Sequence, residues 1–282
     1  MWLPWRWALM IAVVLGLGAV GASRSTKRHA PAVGAVSAEA ARVFVLYSLW
    51  QLAGTLAIVR IDGARARGQQ IWDLERTLWM PNEASLQRVV LPITWLVKSM
   101  NIYYATMHVG AMIAFLIWMF MYRRPQYVPV RRALVFLSSI SLAIQLVPVA
   151  PPRLVPSIGM VDTAHQFGQS VYPSLGEVGP SQLSAMPSLH VGWAALVGVA
   201  VFTLVQSRWR WIGMAHAALT FVIVALTANH YWLDGVVDIV LLGGWLAIPA
   251  CRWSTTHAKS VTFDCPARVV AGVGNQGNQE SS

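Results

Sequence analysis

Charge is what this sequence has least of. Only 11% of its 282 residues are Asp, Glu, Lys or Arg, where soluble domains carry roughly a quarter. With 56% hydrophobic residues in repeated apolar runs, that shortage argues against a soluble domain and for an integral membrane protein. Acids are scarcer still, 11 against 21 Lys and Arg, for a net charge of +10. Such an excess can serve nucleic acid, but the basic residues then cluster on a soluble domain. Here they sit in short loops between apolar runs, the positive-inside pattern, so the partner is the lipid bilayer and no nucleic acid is expected. Cysteine is nearly missing. Cys251 and Cys265 both follow the last apolar run. They make no disulfide framework and no cluster with metal-ligand spacing, so neither a metal nor another cofactor is expected. No internal repeat is visible.

What is there is a series of apolar runs. Residues 7–22 are apolar and short, after Arg6. The small residues from Gly18 to Ala22 would suit signal-peptide cleavage. A retained extra helix is the favoured reading, because residues 23–42 carry Arg24, Lys27, Arg28 and Arg42 with no acid before Glu39, an inside-type linker. Six spans follow, at 43–59, 103–122, 133–149, 189–205, 211–227 and 233–249. Arg123, Arg124, Arg131 and Arg132 mark one inner turn, and Arg208 and Arg210 another. Residues 148–182 are then an outer loop. Residues 60–101 also fall outside, although they hold six Lys or Arg beside four acids. Within them Ile71, Leu74, Leu78 and Trp79 recur at helical spacing, as in an interfacial amphipathic helix. Residues 86–100 read as a re-entrant or interfacial piece. The expected fold is all-α: a polytopic membrane helical bundle with a six-helix core, an N-terminal extra helix and the interfacial helix. It divides into residues 1–42 (apolar helix and basic linker), 43–250 (membrane domain) and 251–282 (a polar, disordered tail).

Two motifs carry chemistry. SAMPSLHVGW, residues 184–193, sets Ser188 and His190 at the mouth of one apolar run, and TANHYWLDGVVD, residues 227–238, sets His230 and Asp234 at the mouth of another. Under the topology above, Arg153 joins them at the outer face. His230 and Asp234, four apart, share a helical face. The carboxylate can then accept a hydrogen bond from one ring nitrogen, fixing the tautomer and leaving the other as a nucleophile. His190 can protonate a leaving oxygen. Arg153 can clamp a phosphate as a bidentate donor. Ser188 and the amides opening the next helix add further donors. Singly, each residue has a plainer use: an interfacial anchor for a histidine, a helix cap for Asp234, a headgroup contact for Arg153. Ionisable groups near a membrane are costly, so the set carries the argument.

These motifs, with VPVAPPRLVP at residues 147–156 and NHYWLD at 229–234, resemble the type-2 phosphatidic acid phosphatase superfamily, the lipid phosphate phosphatases. The similarity is closer to its inositol-phosphorylceramide-synthase-like branch and covers roughly residues 103–244. The resemblance implies a six-helix membrane fold and metal-independent phosphoryl chemistry. It implies a phosphohistidine on His230, with Asp234 orienting it and His190 acting as acid and then base. The sequence also departs from the superfamily's pattern. Leu146 and Leu154 stand where its first motif has Lys and Pro, Leu189 where its second has Gly, and Ile223 and Val224 where its third has Ser and Arg. Two phosphate-binding cations are therefore missing. Either the substrate is a phosphodiester or carries its own headgroup, which suits transfer, or Lys98 or His108 replaces them as a substrate-binding residue.

The reading is a multi-pass cell-membrane enzyme, a phosphatase or phosphotransferase for a lipid-linked phosphate or phosphodiester. Its site faces outside the cytoplasm, and its acceptor is water or a polyol such as inositol. The alternatives are a non-enzymatic lipid-headgroup-binding protein or transporter, and a histidine-ligated metal hydrolase that lacks a third convincing ligand.

Overall fold

A computed structural model describes residues 3–56, 63–170, 182–251 and 253 of the chain. The tail expected to be disordered lies outside those residues, apart from its first few positions. Among the described residues ten α-helices follow in order: α1 (Trp5–Ser23), α2 (Ala30–Leu56), α3 (Ala64–Thr77), α4 (Glu83–Val90), α5 (Thr94–Tyr122), α6 (Arg124–Gln145), α7 (Thr163–Gln166), α8 (Leu189–Leu204), α9 (Arg210–Leu226) and α10 (Trp232–Ala247). Among the described residues no strand forms; a single β-bridge joins Val149 to Ser184. Helices α1, α2, α5 and α6 are long and apolar enough to cross a membrane, and α8 and α9 are shorter apolar helices. The all-α membrane bundle read from the sequence is the architecture observed.

Several boundaries move. Helix α6 opens at Arg124 rather than near residue 133, so Arg131 and Arg132 lie within it and not in the inner turn. The basic linker shrinks to a turn, because α2 starts at Ala30 rather than near residue 43. Residues 30–42 are rich in Ala, the best helix former, and Pro31 in the first turn is tolerated. Glu39 on this stretch pairs with Arg42 and with Arg131 of α6, and Tyr127 donates to it at 3.2 Å. The 86–100 stretch is not a separate piece. Pro92 breaks it, leaving its first part in α4 and the rest as the opening turns of α5. At 29 residues α5 is about 43 Å long, against a hydrocarbon core of about 30 Å. Its first turns therefore extend beyond that thickness, with Met100 packed against Ile223 and Leu226 at the end of α9. The amphipathic segment near residues 71–79 forms the second half of α3 and the turn after it.

Helices α5, α6, α8 and α10 share one core, with Met119, Leu137, Leu196 and Leu242 at its centre. Helices α8 and α9 approach through glycine: a Cβ on Gly198 would sit 3.1 Å from the Gly213 carbonyl oxygen, the close contact that small residues permit. A cap of α3, α4, α7 and residues 148–160 covers one end of this bundle around a second core containing Ala84, Val149, Ile158 and Tyr231. The α5–α6 and α8–α9 turns, with Arg123 and Arg208, lie at the other end.

Candidate active site under the cap

The site is assembled where α9 hands over to α10. Helix α9 closes in a Schellman turn, with the Ala228 N–H donating to the Ala225 carbonyl at 2.9 Å and the Asn229 N–H to that of Val224 at 3.1 Å. Ala228 takes the left-handed conformation this turn needs, at φ 57°, an uncommon setting for a non-glycine residue and one found at functional sites. The turn delivers His230, 5% exposed, to the start of α10.

His230 Nδ1 lies 2.7 Å from the Ala185 carbonyl oxygen. A carbonyl only accepts, so Nδ1 carries the hydrogen and Nε2 keeps its lone pair. Asp234 Oδ2 is 3.4 Å from the same Nδ1 and accepts the Tyr231 N–H at 2.8 Å. The spacing argument made Asp234 the orienting acceptor; the nearer one is the main chain of the other histidine motif. The two motifs are tied again where the Ser188 N–H donates to the Asp234 carbonyl at 3.1 Å.

His190, in the first turn of α8, faces His230 with ring centroids 5.5 Å apart. Its own ring is sandwiched between Tyr104 at 4.4 Å and His108 at 3.9 Å. His108 stacks in turn on Trp193 at 4.5 Å, whose Nε1 donates to Ser138 Oγ at 3.0 Å. This row of rings from α5 and α8 holds the imidazole of His190 in one plane. Three buried polar atoms here, Ser188 Oγ, Asp234 Oδ1 and His108 Nδ1, have no hydrogen-bond partner. Buried polar atoms are ordinarily satisfied, and these three exceptions lie on or beside the histidine motifs.

Arg153 reaches the site from the cap. Its N–H donates to the Ala228 carbonyl at 3.2 Å, its Nη1 donates to Asn229 Oδ1, and its Nε lies 3.4 Å from Asp162 Oδ2. Asn229 in turn donates from Nδ2 to Thr227 Oγ1 at 2.8 Å. Arg153, Asp162, Asn229, Asn101, Gln169 and Tyr104 line a cavity of about 10 Å³, room for one water. Lys98 is not brought in. Its Nζ sits 5.9 Å from the Phe167 ring, about 15 Å up α5 from His108. Of the two candidate replacements for the missing cations, only His108 stands at the histidines. Among the described residues no three His, Cys, Asp or Glu side chains form a metal-holding group.

Sequence reasoning missed Tyr104, Trp193, Asn229 and Asp162, and two buried acids behind α10, Glu75 and Glu83. Asn229 adjoins His230 and was within reach. The acids had one signal: they are two of only 11 in the chain.

No curated protein and no solved structure matches the chain. Residues 69–248 do match a family of the PAP2 superfamily. That stretch runs from α3 through α10 and holds every residue of the site from Tyr104 to Asp234. The chain belongs to the PAP2 superfamily.

Proposed function

We propose that the protein cleaves or transfers a lipid-linked phosphate or phosphodiester through a phosphohistidine on His230, at the extracytoplasmic end of the bundle. Superfamily membership supports a phosphatase-type activity on lipid phosphates. The observation that carries the reading is the pair of facing imidazoles, one of them held at Nδ1. His230 Nε2 attacks phosphorus, the bond to the leaving oxygen breaks, and His190 gives that oxygen its proton. Water or an alcohol then loses a proton to His190 while its oxygen attacks phosphorus, and the P–N bond breaks. In this reading Ser188 Oγ and Arg153 hold phosphate oxygens, with His108 as a further substrate contact.

The inositol-phosphorylceramide-synthase-like resemblance supports a substrate with its own hydroxylated headgroup; the cavity next to Arg153 holds no more than one water. A carboxylate, Asp162, shares that cavity. Paired with Arg153, it offsets part of the charge that the guanidinium could offer a phosphate dianion. The arginine-bearing turns at the opposite end support a site facing away from the cytoplasm.

The test offers purified protein a lipid labelled at phosphorus, with and without inositol, and follows free phosphate, a new phosphodiester and label on protein. Expected are acid-labile, alkali-stable label on the wild type, none on His230→Ala, and no turnover in that variant. Normal turnover by His230→Ala would remove the mechanism.

A further inference from the structure

Two acids that the phosphoryl chemistry does not use stand behind α10. Glu75, near the end of α3, and Glu83, the first residue of α4, are both fully buried. Glu75 Oε1 accepts the Leu233 N–H at 2.8 Å, and Glu83 Oε1 accepts the Trp232 N–H at 3.4 Å. These are the first two N–H groups of α10, donors with no partner inside a helix. His230 lies two residues before the first of them and Asp234 directly after the second. Arg76 Nη2 binds Glu83 Oε2 at 2.9 Å and lies 3.6 Å from Glu75 Oε2. It also donates to the Pro81 carbonyl at 3.0 Å, and Trp232 Nε1 donates to the same oxygen at 2.9 Å. The cap thus grips the start of α10 by two amides and an indole.

One guanidinium faces two carboxyls, and Glu75 Oε2 has no donor. A proton between Glu75 and Glu83 resolves both facts. Burial, then hydrogen bonding and repulsion from Glu83, push the Glu75 carboxyl up to about 9; Asp234 adds to the rise and the Leu233 N–H opposes it.

We propose that Glu75 and Glu83, sharing one proton, are positioning residues that seat the first turn of α10 and so fix His230 and Asp234 against His190. This rests on His230 as nucleophile. Glu75 is faced by Glu83 from α4, Arg76 from its own helix, and Asp234 and Tyr231 from the start of α10. Burial raises the Tyr231 hydroxyl above its ordinary range, so it stays protonated while Glu75 titrates.

The experiment compares wild type, Glu75→Gln, Glu75→Ala and His230→Ala as full chains in detergent on the same lipid phosphate. Glutamine copies the protonated acid, with an oxygen for Leu233 and an N–H for Glu83. It should hold kcat within about threefold, whereas alanine lowers kcat roughly tenfold or more with KM little changed, since misplacement by about 1 Å costs up to ~10²-fold. Wild-type kcat should fall as pH passes about 9, and Glu75→Gln should lose that alkaline limb. Wild-type kcat in Glu75→Ala, or a limb that persists in Glu75→Gln, overturns the inference. If the alanine variant does not fold, the limb in Glu75→Gln decides alone. Turnover by His230→Ala sinks the nucleophile reading instead, and is seen separately.

Discussion

His230 has one nitrogen held and one free, and the holding is done twice. The Ala185 carbonyl is the near acceptor at 2.7 Å and Asp234 the far one at 3.4 Å. Asp234→Asn therefore leaves the tautomer anchored by main chain while removing the charge that stabilises a cationic ring. Steady-state assays should find kcat down about 10- to 100-fold, the usual cost of losing such an outer partner, rather than abolished. The residues legible in the sequence, His190, His230, Asp234 and Arg153, were so because polar groups at the mouths of apolar runs are rare and expensive. Tyr104 and Trp193 were not, because aromatic residues are common at any membrane boundary and only the packing of α5 on α8 shows them stacked around His190 and His108. Lys98 looked available because sequence distance does not report how far a straight helix carries a side chain from the histidines.

At the level of elements, the join between cap and bundle is tightest where α3 crosses residues 148–155. A Cβ on Gly68 would lie 2.6 Å from the Ala150 carbonyl oxygen and 2.7 Å from the Tyr231 hydroxyl, which themselves are bonded at 3.0 Å. Both atoms belong to the support of the histidine turn. Gly68→Ala should destabilise by about 1–3 kcal/mol, as overpacking does, and lower activity; a thermal unfolding series in detergent checks the first effect and turnover the second. Hydropathy alone located the apolar helices well. It missed the early start of α2, because an alanine-rich stretch with a single acid reads as linker until Arg131 is seen to balance Glu39. It also misread residues 86–100, where Pro92 divides two helices that hydropathy runs together.

Across the whole molecule, one end holds the candidate site and the other the arginine-bearing α5–α6 and α8–α9 turns. In a background without native cysteines, a cysteine at exposed Ser157 should react with an impermeant thiol reagent on intact cells. One at Arg208 should react only after permeabilisation; the reverse pattern would turn the enzyme over. Stability should also record the buried acids. Glu75 ionises near the usual 4.5 when unfolded but at about 9 when folded, so the fold binds the extra proton between those values. Its contribution is complete below about 4.5 and declines as pH rises towards 9. Melting followed from pH 5 to 9 should show that slope, and Glu75→Gln should flatten it. The order of synthesis adds a last consequence. His190 emerges from the ribosome forty residues before His230. On the proposed mechanism a chain stopped after α9 carries the proton donor but lacks the group that attacks, so an incomplete translation product should be chemically silent.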